Sequence, residues 1–175
     1  MQYKRSKFYD PQLIVREVSS KLEEVHKSGS TVDYITFVPD GEPTLDLNLG
    51  EEIAEMKKLG VPVALITNSS LMEQPKLREE LLPLDWISVK IDSVYEATWR
   101  KLDRPHKSID FSSMLEGIVR FSEDFEGKLT TETMLISGYN DSNQEIEAIG
   151  QFLERIEPQR SYISIPTRPP AEKRA

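Results

Sequence analysis

The sequence predicts an α/β fold with five parallel strands and helices packed on the sheet. Two observations lead to this class. Helical and extended segments alternate along the 175 residues, and the extended segments are short apolar runs rather than alternations of apolar and polar residues. Such runs are typical of parallel strands buried on both faces. The pattern fits either an open doubly wound sheet or part of a barrel. No internal boundary divides residues 1–175, so we expect one domain.

Each element follows from a local signal. Asp10-Pro11 is a helix start, with a capping carboxylate followed by proline at the first helical position. Gly60 ends a helix that begins near Leu47. Apolar periodicity places the remaining segments. We expect helices over 11–27, 47–59, 74–82, 95–102, 111–125 and 143–156, and strands over 32–38, 61–66, 86–91, 129–136 and 161–165.

Composition excludes several classes of function. A net charge of −8 argues against a broad surface for nucleic-acid phosphates. No apolar run is long enough to cross a bilayer and no apolar segment follows the basic start, so we expect a cytoplasmic protein with no membrane partner. No strand is followed by a glycine-rich phosphate loop. The chain has no cysteine, which excludes disulfides, thiolate nucleophiles and cysteine-ligated metal centres within it.

Polar residues follow the predicted strands, and the most informative group is the turn Asp40-Gly41-Glu42-Pro43-Thr44-Leu45-Asp46. It places a glutamate on a Gly/Pro-rich turn directly after an apolar strand. In parallel α/β folds the carboxyl ends of the strands converge on one side, where ligands bind. We therefore expect the Glu42 side chain to face that side. The polar residues at the later strand ends are Thr67, Asn68, Lys90, Asp92 and Glu132.

Two other interpretations of these charges remain open at this stage. Lys90 and Glu132 lie inside apolar strands, where charges are usually paired, so they could form a structural salt bridge with each other. Alternatively, carboxylates at strand ends could hold Mg²⁺ in a hydrolase. That second interpretation is weakened because no histidine ligand or nucleophile accompanies the candidates, which are Asp40, Glu42, Asp46 and Asp92.

Six segments follow one another along the whole chain at strand-to-loop junctions: 34–45, 66–69, 90–93, 104–106, 131–135 and 165–170. Together they resemble the radical S-adenosylmethionine (SAM) superfamily. The resemblance is to the branch of iron–sulfur oxidoreductases related to the tRNA wyosine-synthesis enzymes. Each segment is a weak signal alone, and the presence of all six in this order makes the resemblance specific. It implies a partial (β/α)6 barrel with SAM lying across the carboxyl ends of the strands.

The resemblance also implies a cofactor site. Gly41-Glu42-Pro43 is similar to the family motif that holds the amino group of SAM, and an ammonium suits a carboxylate beside exposed carbonyls. Ile163 and Ile165 are in the position expected for the adenine. The polar residues expected around the remainder of the cofactor are Thr67, Asn68, Ser88, Lys90, Asp92 and Glu132.

One departure affects the mechanism. Family members carry three cysteines, spaced C-x3-C-x2-C, that hold the 4Fe–4S cluster used to cleave SAM reductively. This chain resembles a member that lacks the first barrel strand and the cluster loop. We therefore expect no cluster in this chain, weak or lost SAM binding and no radical chemistry by the chain alone. We also expect self-association through the uncovered edge of the strand over 32–38.

The substrate is not predicted by the sequence, and a tRNA partner is suggested only by family analogy. A different class of function stays open as an alternative. The chain could be a non-catalytic α/β module that binds SAM, a nucleotide or a partner protein.

Overall fold

The computed structural model describes residues 4–38 and 41–166. In this part of the chain five strands alternate with helices, which confirms the predicted α/β class. A 3-10 turn at Pro43–Leu45 separates the first strand from the second helix. The elements in chain order are α1 (Pro11–Lys27), β1 (Ile35–Phe37), α2 (Leu49–Lys57), β2 (Val63–Thr67), α3 (Pro75–Leu81), β3 (Trp86–Lys90), α4 (Glu96–Leu102), α5 (Phe111–Asp124), β4 (Lys128–Met134), α6 (Asn143–Ile156) and β5 (Arg160–Ser164).

The five strands form one open parallel sheet in the order β1-β2-β3-β4-β5. Each strand therefore lies next to the strand that follows it in the chain. A doubly wound sheet would instead reverse its strand order near the middle. The sequential order confirms the partial barrel.

The two faces of the sheet differ in what covers them. The outer face packs against the helices through fully buried side chains such as Leu65, Ile87 and Val89. The opposite face, called here the inner face, carries the alternate residues of each strand. On this face Ile66 of β2 lies beside Ser88 of β3. Two residues further along β3, Lys90 lies beside Glu132 of β4, which in turn lies beside Tyr162 of β5. Ile66 and Tyr162 are 36% and 45% exposed, so this face is open.

The strand β1 is shorter than predicted and lies at one edge of the sheet. Its ladder begins where the Ile35 N–H donates to the Pro62 carbonyl (2.8 Å). Pro62 has no N–H that could donate a hydrogen bond to the chain before β1, so the regular pairing starts with Val63. Among the described residues β1 pairs only with β2. The segment at Ser6 pairs instead with the turn after β1, since the Ser6 N–H donates to the Leu45 carbonyl (2.9 Å).

The helix α1 lies beside α2 and adds Ile14, Val15 and Val18 to the main apolar core. The crossover between β3 and β4 contains two helices with different positions. The helix α5 contributes buried side chains to the main core, whereas Trp99 of α4 belongs to a smaller cluster. No helix in the described part of the chain is both long and apolar enough to span a bilayer.

Candidate functional site

The carboxyl ends of the strands enclose a small cavity of about 140 Å³. Most of the polar residues predicted from the sequence line it, together with two apolar residues, Val38 and Ile66. The polar and glycine residues in its wall are Gly41, Glu42, Thr67, Asn68, Ser88, Lys90 and Glu132. The structure thus brings together groups that are up to 91 positions apart in the chain, as Gly41 and Glu132 are.

Glu42 connects the turn after β1 to the end of β2. Its Oε1 accepts hydrogen bonds from the Thr44 hydroxyl (2.6 Å), the Thr44 N–H (3.1 Å) and the Thr67 hydroxyl (2.6 Å). Its Oε2 accepts one from the Asn68 N–H (2.7 Å). Gly41, at φ +147°, has a backbone conformation that residues with a side chain rarely adopt. Because Oε2 has one partner, it can accept another donor.

Lys90 is held between two carboxylates. Its Nζ donates to Asp92 and to Asp103 Oδ1 (2.6 Å). Burial opposes the charge on Lys90, but Asp103 and then Asp92 outweigh it and raise the pKa of the ammonium. The proposed salt bridge between Lys90 and Glu132 is therefore wrong. The two residues are register partners across β3 and β4, yet Glu132 Oε1 accepts a hydrogen bond from the Ser164 hydroxyl (3.0 Å) instead.

Asp92 lies behind Lys90 and is buried. Its Oδ1 accepts a hydrogen bond from the Met134 N–H (2.9 Å), and burial raises its pKa to about 6 although Lys90 acts in the opposite direction. Asn140, also buried, donates to the carbonyls of Asp92 (2.7 Å) and Met134 (2.9 Å) and accepts from the Ile136 N–H (2.8 Å). These bonds tie the end of β3 to the end of β4 and fix the position of Lys90.

The remaining predicted residues lie elsewhere. Pro43 is buried and lines a second, larger cavity. Ile163 is 71% exposed and Ile165 is 76% exposed, and neither lines the small cavity. Ile163 is paired with Thr133, on the face opposite to that of Glu132. Their role near an adenine stays a prediction. Asp40, and Thr167 and Arg168 of the last resemblance motif, lie outside the described residues.

The larger cavity measures about 870 Å³ and shares part of its wall with the small one. The shared residues are Val38, Gly41, Glu42, Asn68 and Lys90. His106, which the sequence places in a loop, also lines the larger cavity, and its Nδ1 is 2.7 Å from the Ser108 hydroxyl.

The structure offers little support for the magnesium hypothesis. Among the described residues no three histidine or carboxylate side chains are placed to hold a metal ion. Asp46 Oδ1 caps the following turn by accepting from the Asn48 N–H (2.8 Å). Asp92 is paired with Lys90. The three described candidates, Glu42, Asp46 and Asp92, are thus engaged separately rather than together.

Sequence reasoning missed two residues of the site. Asp103 follows α4 in a loop, and no local pattern distinguishes it from a solvated aspartate. Ser164 is the last residue of β5, and its contact with Glu132 depends on the register between β4 and β5.

Comparison with known proteins decides the family. The sequence model of the Radical SAM superfamily matches residues 2–153. The chain belongs to this superfamily. The match confirms the resemblance carried by the six motifs, and the superfamily is one for which SAM and a 4Fe–4S cluster are the implied cofactors.

Similar proteins agree with this assignment. UPF0026 protein MJ1312 of Methanocaldococcus jannaschii is 38% identical over 169 residues, which are 97% of this chain and 52% of that protein. A UPF0026 protein of Helicobacter pylori strain 26695 is 35% identical over 144 residues, which are 81% of this chain and 46% of that protein. The chain thus spans about half the length of these relatives.

A solved structure shows the same fold. The structure of TYW1 with a lysine–pyruvate adduct bound matches with a TM-score of 0.75 and 19% identity. The match covers 98% of this chain and 59% of that chain. At this level of identity the likeness concerns the fold.

Proposed function

We propose that this chain is the SAM-binding part of a radical SAM protein that modifies a substrate by radical chemistry. The observation that carries the proposal is the small cavity at the strand ends. It combines the carboxylate of Glu42 with the ammonium of Lys90 and with the hydroxyl of Ser88. These groups complement a ligand that has an ammonium, a carboxylate and ribose hydroxyls.

In this proposal each end of the amino-acid portion of SAM has a partner of opposite charge. Glu42 Oε2 and the turn at Gly41 accept the ammonium, because that oxygen has one hydrogen bond in the structure. Lys90 attracts the carboxylate, and Asp92 and Asp103 hold its ammonium in place. Ser88 and Glu132 are suited to ribose hydroxyls.

The size of the cavity indicates where the nucleoside would lie. Cofactor-sized ligands occupy clefts of about 300–1,000 Å³, and the small cavity holds about 140 Å³. The rest of SAM must therefore extend over the open inner face of the sheet, where Ile66 and Tyr162 offer apolar surface.

The residues of this chain do not fit a 4Fe–4S cluster. Such a cluster is held by cysteine thiolates, and none of the 175 residues is a cysteine. When bound in family members, the cluster supplies the electron for SAM cleavage. We propose that cysteines outside this sequence supply the ligands in the active protein and that the chain alone is inactive. Its SAM affinity should be about millimolar, because only a few polar contacts remain.

Calorimetric titration with SAM tests the proposal. The variant Glu42→Gln removes the partner of the ammonium and should weaken binding about tenfold or more. Glu79→Gln, on the exposed side of α3, is the matched control and should bind SAM like the wild type. Equal affinity of all three chains would contradict the assignment of Glu42. A micromolar wild-type constant would instead show that the site is complete without a cluster.

The alternative is a non-catalytic module, and the lack of cysteine is the observation that favours it. The two proposals differ in the coding DNA that adjoins this sequence. An in-frame C-x3-C-x2-C triplet upstream would support the enzyme. A stop codon there would support the module.

A further inference from the structure

We propose that the larger cavity is a second ligand site, in which Glu52 binds a primary ammonium group carried on an apolar stem. This inference goes beyond the proposed SAM site and does not depend on it. It rests on a buried carboxyl oxygen that has no hydrogen-bond partner among the described residues, on the engagement of the other acids around it and on the apolar wall of the cavity.

Glu52 lies on α2 between the buried residues Leu49 and Ile53, so its side chain points into the protein. It lines the larger cavity and is only 3% exposed. Its Oε1 is fully enclosed and accepts no hydrogen bond from the part of the chain that the structure describes. A buried carboxylate without a partner is costly, and a bound cation would remove that cost.

The other acids of the cavity already have partners. Glu42 accepts four hydrogen bonds, Asp46 caps the turn at Asn48, and Asp103 pairs with Lys90. Because Glu42 Oε2 is assigned above to SAM, Glu52 is the acid in this wall that carries a buried carboxyl oxygen with no hydrogen-bond partner among the described residues. Burial, followed by the charge of Asp46, raises the pKa of Glu52 to about 7. The rise shows how poorly the protein itself solvates the charged form.

The rest of the wall defines the ligand. The volume of about 870 Å³ is suited to a molecule larger than an ion. Apolar side chains from separate parts of the chain line it, including Phe37, Leu71, Trp99 and Ile109. A metal ion is not favoured, because no group of three potential ligands is present among the described residues. An ammonium head on an aliphatic or aromatic stem satisfies both Glu52 and the apolar wall.

Hexylamine and hexanol form a matched pair of probes, since they share the stem and differ in charge. At about pH 8 the amine is protonated. Binding to the wild-type chain, measured by calorimetry without SAM, should be about tenfold tighter for hexylamine than for hexanol. In Glu52→Gln the two should bind within about twofold of each other. Glu79→Gln should behave like the wild type.

Two further measurements locate the site. Methyl NMR should show hexylamine shifts at Ile14 and Leu49, which line the cavity, and not at Ile146 on the exposed side of α6. SAM affinity should be unchanged in Glu52→Gln and reduced in Glu42→Gln. Equal binding of amine and alcohol to the wild type, or shifts confined to Ile146, would overturn the inference. A parallel loss of SAM and hexylamine in Glu52→Gln would also overturn it, because Glu52 would then belong to the SAM site.

Discussion

Gly117 is the position where a single methyl group should damage this fold most clearly. It lies in α5, where the helix crosses the loop that follows β2. A β-carbon at Gly117 would lie 2.0 Å from the Met72 carbonyl oxygen and 2.5 Å from its carbon. Both atoms belong to the backbone, so no side-chain rotation relieves the overlap. The helix would have to move by at least about 1 Å, away from a close-packed core.

The magnitude follows from two opposing effects. Replacing glycine by alanine inside a helix gains about 1 kcal/mol of helix propensity. Overpacking against a fixed backbone costs about 1–3 kcal/mol or more, and moving α5 also loosens Ile118 and Phe121, which are fully buried. Because the overlap is with backbone, we take the upper end of this range and expect Gly117→Ala to lower the free energy of unfolding by about 2 kcal/mol.

Gly150 in α6 is the matched control. Nothing lies within 4 Å of the β-carbon that would be added there, so Gly150→Ala should gain close to the full propensity, about 1 kcal/mol. The same substitution in two helices is thus expected to have opposite signs. Urea denaturation followed by circular dichroism measures both. If the two variants were equally stable, the close approach of α5 to Met72 would be refuted.

Four other outcomes follow from the structure. The wild-type chain should lose about 3 kcal/mol of stability between pH 4.5 and 7, because the raised pKa of Glu52 makes the folded form bind the proton more tightly than the unfolded form. This contribution is complete below pH 4.5 and is lost as the pH rises through 7. Glu52→Gln should not show this loss. Urea titrations across that range measure the decline, and an unchanged slope would contradict it. Asn140→Ala should cost about 2–4 kcal/mol in the same assay, because it leaves buried carbonyls and an N–H unpaired. Thr36→Lys places a charge on the edge strand β1 and should reduce self-association, which light scattering over a dilution series measures. A wild-type chain that is monomeric at high concentration would refute self-association through this edge. Reconstitution of the purified chain with iron and sulfide should yield no stoichiometric 4Fe–4S cluster, because the sequence has no cysteine to bind it. The absorbance band of such a cluster would contradict this expectation.

The elements with strong local signals could be predicted closely from the sequence. The helix predicted over 143–156 is α6 with the same bounds, because its apolar stripe is regular and Ser142 accepts a hydrogen bond from the Glu145 N–H as a cap. The first helix also has the expected bounds, set by the Asp10 cap and Pro11. The strand ends were placed within a few residues, so the convergence of Glu42, Thr67 and Lys90 followed from the topology.

The features that sequence could not give depend on register and on loop paths. A salt bridge between Lys90 and Glu132 was one open interpretation, because both charges lie inside apolar strands. The partners of Lys90 are instead Asp92 and Asp103, and the position of Asp103 depends on the path of the chain after α4. The helix α2 begins at Leu49, two residues later than expected, because Asp46 holds the turn before it. Ile163 has the apolar character of a ligand contact, yet the alternation of β5 turns it to the outer face.

The sequential strand order has a consequence for how this molecule tolerates change. In the described part of the chain, each strand pairs only with the strands before and after it in sequence, as in a repeat protein, so stability is close to a sum of neighbouring contacts. A disturbance at β5 should therefore reach β1 only through three intervening strands. Hydrogen exchange should show graded protection, highest in β2 and β3 and lower at both margins. Thr67 and Lys90 end the two most protected strands, and Thr67 holds Glu42 of the turn after β1 by a hydrogen bond, which leaves the β5 margin free to vary.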